Sequence, residues 1–459
     1  MKNDIKKLID AQKSFYNEGF TKDVPTRKNI LKRLKSEIKN REKDICDALY
    51  ADFKKSEFET LLSETQYILG ELNDAIKKIH SWTGEKTVSA SLINFPSSAK
   101  IIKEPYGTVL IIAPWNYPFQ LAISPLIGTI AAGNTAIIKP SELTPNTATI
   151  ISEIIKAVFP ENYVSVVQGD KDISTALLQE RWDYIFFTGS PQVGKIVYQA
   201  AAKHLTPVSL ELGGKNPCII DETAKLKQAA KRIVWGKFLN GGQTCIAPDY
   251  ILVASNVKDK LIQHLKNEII AAYSENPKNS SDYPRIVNKN NFDRLSKLIN
   301  NEDIAFGGVI DKTDCYISPT LINEPSLESD LMKEEIFGPL LPIISYNSEE
   351  EIQSIITSYE KPLSLYVFSN RRQFSNKIMK QFSYGGGVIN DTIVHFLNKR
   401  LPFGGVGHSG IGAYHGDLTF DVFSHHKSVV RRGTWLDIPL RYAPYSKKMK
   451  WIKILERLR

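Results

Sequence analysis

Cysteine is scarce in this chain: Cys46, Cys218, Cys245 and Cys315 are the only four among 459 residues. No two have Cys-x-x-Cys spacing, so neither a disulfide framework nor a thiolate metal site is expected. Histidine is also sparse, at eight residues with no His-Glu-x-x-His, and no metal is expected. No apolar run approaches the ~20 residues that span a bilayer. The start, MKNDIKKLIDAQK, lacks the apolar region of a signal peptide. The expectation is a soluble, cytoplasmic protein. With so few thiols, at least one is open to a chemical role, and its surroundings identify which.

A net charge of +9 suggests nucleic acid until it is located. Between Arg441 and Arg459 seven basic residues face only Glu456, so this tail carries +6 and the rest +3. No basic and aromatic stripe lies outside the tail, and no nucleic-acid partner is expected.

What is present is alternation. Residues 1–80 carry apolar positions at three-to-four spacing (Ile30, Leu31, Leu34, Ile38), with Pro25 separating two helices. Between Lys86 and Lys103, short apolar runs broken by Pro96-Ser-Ser predict a two-stranded excursion. Strand-like runs at Val109–Ala113, Thr135–Lys139, Val164–Val167, Tyr184–Phe187 and Val208–Leu210 then alternate with helical stretches at 118–132, 145–158 and 191–202. A second set predicts strands near 217–220, 250–254, 341–345, 364–369 and 387–390. Alternation of this kind predicts an α/β protein with two parallel-sheet, Rossmann-like domains, joined near Gly213–Gly214, plus a small β unit. Residues 391–459 break the pattern with a glycine-rich loop, histidines and the basic tail.

Five local patterns carry chemistry. Asn240-Gly-Gly-Gln-Thr-Cys245 presents a thiol after two glycines that allow a tight turn. A thiolate there can add to a carbonyl, although a buried structural cysteine is the commoner fate. The other three cysteines read as structural or incidental. Glu211 ends a strand in Leu-Glu-Leu-Gly-Gly-Lys215, where open α/β sheets place ligands; it can activate water or cap the turn. Phe187-Thr-Gly-Ser-Pro-Gln-Val-Gly194 is a strand–turn–helix that departs from Gly-x-Gly-x-x-Gly yet opens a helix suited to a pyrophosphate. Lys139-Pro-Ser-Glu142 can grip ribose hydroxyls or form a solvated loop. Asn116, in Pro-Trp-Asn-Tyr-Pro118, is a neutral amide donor fit for an oxyanion or for stabilising a turn.

Together with Glu334-Glu335-Ile-Phe-Gly-Pro339 and Pro402-Phe-Gly-Gly405, these motifs stand in an order and at separations that resemble the aldehyde dehydrogenase superfamily from about residue 5 to 435. The ending Gly412-Ala-Tyr-His-Gly416…Phe423-Ser-His-His looks most like its class 3 branch, which acts on fatty and aromatic aldehydes. The resemblance implies NAD(P)-dependent oxidation of an aldehyde, medium or long aliphatic or aromatic, to its acid. Cys245 would be the nucleophile, Glu211 the base for deacylation, and Asn116, with the Cys245 N–H, the oxyanion holder. Glu335 would contact the nicotinamide ribose beside Phe337, Lys139 and Glu142 the adenosine ribose, and Gly189, Ser190 and Gly194 the pyrophosphate turn. The substrate pocket is expected in loops at 55–70, 115–123 and 391–415, with Tyr117, Phe403, Tyr414 and His415 lining it.

The domain reading that follows is residues 1–85 with 104–212 for NAD(P), 213–390 for catalysis, and 86–103 with 391–459 for oligomerisation or bridging. NAD is expected over NADP because of Glu142, and a homodimer is expected because the 86–103 hairpin would otherwise leave open edges. Transfer of the acyl group to coenzyme A is disfavoured by Glu211, and a non-catalytic protein on this fold by the complete trio. For the tail two readings stand: a helix docked on its own protein with a solvated basic face, or an amphipathic segment touching an anionic membrane weakly.

Overall fold

The computed structural model describes residues 2–91, 94–446, 448–449 and 451. Lys447, Lys450 and residues 452–459, on which the amphipathic reading of the tail rests, lie outside the described residues. Two compact units form. The larger holds the chain up to Trp82 and Pro105–Ser424, and the smaller holds Thr83–Glu104 and the chain from His425 onward. The stretch 391–459 is thus divided between both units.

Two sheets organise the larger unit. A six-stranded sheet runs in the order Gly410–Ile411, Val208–Glu211, Tyr184–Thr188, Thr108–Ile112, Thr135–Lys139, Val164–Val166. Its long strands are parallel, and only Gly410–Ile411 pairs antiparallel, against Glu211 and Leu210. A seven-stranded sheet is ordered Ile304–Phe306, Thr320–Asn323, Leu340–Tyr346, Tyr250–Ala254, Pro217–Ile220, Ser364–Phe368, Gly386–Ile389, parallel except for the first pair.

The burial of these strands explains their direction. Thr135–Lys139, Tyr184–Thr188 and Ser364–Phe368 are buried at every position. A strand apolar on both faces needs helices on both sides, which is what crossover connections between parallel strands supply. Helix Gln120–Ala132 is likewise buried along its whole length, so it packs as a core element with no solvated face.

The helical region also runs differently from expectation at one place. Residues 55–70, read within the helical region but also expected to give the pocket a loop, are helical from Glu57 on: Glu57–Thr60, a π turn at Leu61–Thr65, then Gln66–Trp82. Ser56 starts the run by accepting the Glu59 N–H at 3.2 Å. Buried Thr60, Glu64, Thr65 and Ile68 then give the segment a core-facing stripe. A π turn inside a helix often marks a functional wall.

In the smaller unit Lys86–Val88 and Ser97–Pro105 pair antiparallel, Lys86 opposite Ile101, and Ser424–Arg432 adds a third strand. Lys427 donates to Glu104 at 2.5 Å, and the Gly433 N–H to the Pro96 carbonyl at 2.8 Å. The nine-residue outer strand exposes Val429 and Val430.

Candidate active site

The thiol is delivered by a turn that few sequences can make. Helix Leu226–Phe238 ends and the chain passes through three left-handed residues, Asn240, Gly241 and Gly242, at φ 55°, 62° and 74°. A Cβ on Gly242 would stand 2.3 Å from the Gly338 carbonyl oxygen, so backbone meets backbone there and only glycine fits.

That turn is pinned from several sides. The Asn116 amide donates to the Gln243 carbonyl at 3.1 Å, and the Asn240 amide to the Asn116 carbonyl at 2.8 Å. Tyr117 and Thr244 join hydroxyls at 2.7 Å. Beyond the thiol, Asn216 donates to the Cys245 carbonyl at 2.7 Å and Tyr366 to the Ile246 carbonyl at 2.5 Å. Gln243, itself buried, donates to the Arg285 carbonyl and accepts from the Val287 N–H. The backbone around Cys245 is therefore fixed while its side chain faces a cavity of about 710 Å³.

Glu211 closes the strand Val208–Glu211 and faces the same cavity. Its backbone carbonyl accepts from the Gly189 N–H at 3.0 Å, which ties the two strand ends together. Both carboxyl oxygens are buried with no partner among the described residues, and burial holds the group well above the usual carboxylate range. The Cys245 thiol is pushed up to about 12, first by burial and then by the nearby Glu335 and Glu211 carboxylates, with the Cys245 and Ile246 N–H groups opposing. An acid whose oxygens have no partner among the described residues and a thiol thus share one cavity.

Asn116, Tyr117, Phe403 and Tyr414 line this cavity with them. His415 does not: it is buried behind the wall, stacked on Phe403 at 4.9 Å, with its basicity lowered to about 3 by burial.

A second part of the lining is polar and glycine-rich. Thr188, Gly189, Ser190 and Pro191 form the turn into helix Pro191–Ala202, which Ser190 caps by accepting the Val193 N–H. Thr188 Oγ1 is buried without a partner among the described residues. Glu335 lies over the Gly213–Gly214 turn, where a Cβ on Gly213 would be 2.0 Å from its carboxylate. It accepts the Gly214 N–H and is pushed up to about 8 by burial and by Asp249. Phe337, held at φ 51°, meets Trp115 edge-on at 5.2 Å. A helix N-terminus, an unpaired hydroxyl and a buried acid above glycines suit a dinucleotide, whose phosphates need N–H donors and whose ribose needs an acceptor.

Lys139, Glu142 and Gly194 fall outside this lining. Lys139 donates to Glu142 at 2.7 Å and to the Pro140 carbonyl at 2.9 Å, at the end of the strand beside Ile112. Gly194 is a packing residue: a Cβ there would be 2.7 Å from Leu212.

Two supporting groups escaped sequence reasoning. Lys215 donates to Asp249 at 2.7 Å and to the Leu331 and Glu334 carbonyls, and Asp249 also accepts the Ile336 N–H, so this pair carries the Glu335 loop. Its signal was available, since Lys215 ends the Leu-Glu-Leu-Gly-Gly-Lys motif. Lys55 donates to Glu64 at 2.9 Å with both side chains wholly buried, Glu64 accepts the Gln120 N–H, and Lys55 stands 4.1 Å from the Tyr117 ring centre. Charged residues in a helical stretch read as a solvated face, so no pattern announced this pair.

Comparison with known proteins agrees with this geometry. The model of the Aldehyde dehydrogenase family matches residues 1–429. The 4,4'-diaponeurosporen-aldehyde dehydrogenase of Staphylococcus aureus is 49% identical over 98% of this chain and 99% of its own. Aldehyde dehydrogenase family 3 member A2 of Rattus norvegicus is 43% identical over 98% and 93%. The dimeric NADP-preferring aldehyde dehydrogenase of Canis lupus familiaris is 42% identical over 97% and 99%. Among solved structures, a substrate-bound state of Staphylococcus aureus AldH superposes with a TM-score of 0.97 at 48% identity, covering 98% of this chain and 99% of that one. The Mycobacterium tuberculosis aldehyde dehydrogenase complexed with NAD+ gives 0.86 at 26%, covering 95% and 92%.

Proposed function

The chain belongs to the aldehyde dehydrogenase family, and on that premise we propose that Cys245, Glu211 and Asn116 convert a long apolar aldehyde to its acid through a thioester. It is an NAD(P)-dependent oxidoreductase acting on aldehydes, and its relatives are of the class 3 branch. One observation carries the residue roles: the thiol, the unpaired acid, the amide and the dinucleotide cradle line one continuous cavity.

The chemistry follows from that sharing. Cys245 rests as a thiol, so its proton passes to solvent water as Sγ bonds the carbonyl carbon. The resulting oxyanion accepts hydrogen bonds from the Asn116 amide and the Cys245 N–H. A nicotinamide held by Glu335 and the turn Thr188–Pro191 would supply the acceptor for the hydride that leaves this carbon. Glu211 then takes a proton from water, the water oxygen bonds the acyl carbon, and the C–S bond breaks as Glu211 returns the proton to Sγ, releasing acid and thiol. A carboxyl raised by burial is a stronger base once ionised, which suits this last role.

Glu335 and the turn Thr188–Pro191 would hold the dinucleotide, with Lys139 and Glu142 at its adenosine end. Glu142 favours NAD by repelling a 2′-phosphate, and its pairing with Lys139 tempers the preference. The apolar substrate class is supported by the wall of Trp115, Leu121, Trp235, Leu239 and Phe403, and by a relative named for an aldehyde of diaponeurosporene. We further propose a cytoplasmic homodimer, supported by the exposed outer strand of the small sheet, and weak attraction of the basic tail to anionic surfaces. Absorbance of NADH with a panel of aldehydes tests the activity, and comparing kcat/KM for the two cofactors tests the preference. Turnover of wild type matched by Cys245→Ala would overturn the roles assigned here.

A further inference from the structure

The cavity lining is divided by charge. Every lysine and arginine in it comes from residues 195–215, 294, 333 and 361. The segments at 62–63, 117–121, 235–239 and 393–403 contribute no charged side chain. Within that uncharged part, Leu62 and Leu397 line the cavity and are also 45% and 55% exposed, so they stand at its mouth.

Phe58, four residues before Leu62 on the same helical run, is 73% exposed. Leaving a phenylalanine in water one turn from Leu62, with Leu62 and Leu397 exposed at the same mouth, is unfavourable unless something apolar covers them. Leu397 is also held outward by construction. Its neighbour Phe396 turns inward, stacked on Tyr67 at 4.6 Å and edge-on to Phe403 at 5.5 Å. The turn that starts this arrangement places Ile393, a β-branched residue, at φ 49°, a conformation that such residues rarely adopt. Strain of this kind persists where a wall is shaped for a ligand.

We infer that the substrate's hydrocarbon tail leaves the cavity between Leu62 and Leu397 and continues across Phe58, making these three residues determinants of chain length. The aldehydes selected are those with a flexible apolar chain longer than the buried part of the cavity. This inference rests on the aldehyde dehydrogenase reading of the site and adds to it a reason for preferring long substrates over short ones.

Kinetics with hexanal and hexadecanal test it, using full-length wild type, Phe58→Ser, Phe58→Leu and Leu397→Ser. For Phe58→Ser the expected result is a fall of about ten-fold in kcat/KM for hexadecanal, carried by KM, with hexanal unchanged. Phe58→Leu restores most of the loss, and Leu397→Ser lowers the hexadecanal-to-hexanal ratio in the same direction. Equal losses for both aldehydes, or none in either variant, overturn the inference. So does a hexadecanal loss that appears only with substrate in neutral phosphatidylcholine vesicles, accompanied by lost pelleting with them, because the rim would then be a lipid-docking surface. If wild type oxidises neither aldehyde with NAD or NADP, the underlying reading of the site fails instead.

Discussion

Tyr117 and Thr244 meet hydroxyl to hydroxyl at 2.7 Å, joining the residue after Asn116 to the residue before Cys245. The proposed oxyanion donor and the proposed nucleophile are thus set relative to each other by a bond that touches neither reacting atom. Tyr117→Phe removes it and leaves the ring over Lys55. A hydrogen bond of this kind contributes about 0.5–1.5 kcal/mol, so kcat is expected to fall up to about ten-fold with little change in melting temperature. Asn116→Ala, which removes the donor itself, is expected to cost about 10²–10³ in kcat. Steady-state kinetics on both variants checks this ordering, and a larger loss from Tyr117→Phe would reverse it.

The Lys55–Glu64 pair is expected to matter for stability. Both side chains are wholly inaccessible, and Glu64 also holds the first helical N–H at Gln120. Lys55→Met leaves a buried carboxylate without its counter-charge, and breaking such a pair costs about 3–5 kcal/mol. Chemical denaturation of wild type and variant measures it. A loss below about 1 kcal/mol would mean that the pair is compensated elsewhere.

Activity is expected to rise with pH from about 7 to 9. Burial raises both Glu211 and Cys245, the thiol to about 12, so each gains its reactive, deprotonated form as pH increases. A profile of kcat/KM already level from pH 6 would show that neither group is raised in the working complex.

The architecture was largely legible in the sequence, for an identifiable reason. Runs such as Thr135–Lys139 and Tyr184–Thr188 are apolar on both faces, and that composition states strand, burial and parallel pairing together. Within the helical region the core-facing stripe at 55–70 was not legible, because it includes Glu59 and Glu64, which pattern reading assigns to solvent. For the site, motif residues at strand ends such as Glu211 were readable. Whether a motif residue faces the cavity or packs behind it was not, as Gly194 against Leu212 and His415 behind Phe403 demonstrate. Orientation there depends on partners distant in the chain.

A homodimer is expected at micromolar concentration, since Ser424–Arg432 is an outer strand of the small sheet among the described residues and exposes Val429 and Val430. Light scattering gives the mass directly. Replacing both valines by lysine is expected to shift it toward the monomer, and a monomeric wild type would refute the assembly.

The central claim is a covalent acyl enzyme on Cys245 that Glu211 resolves. Glu211→Gln is expected to slow deacylation by about 10²–10⁴ and let that species accumulate. Intact-protein mass spectrometry of this variant, quenched after mixing with NAD and hexanal, is the most direct test. The account predicts a gain of one acyl group per chain, mapped to the Cys245 peptide, together with about one NADH per site. NADH formed without an adduct, or an adduct on Cys46, Cys218 or Cys315, would contradict it.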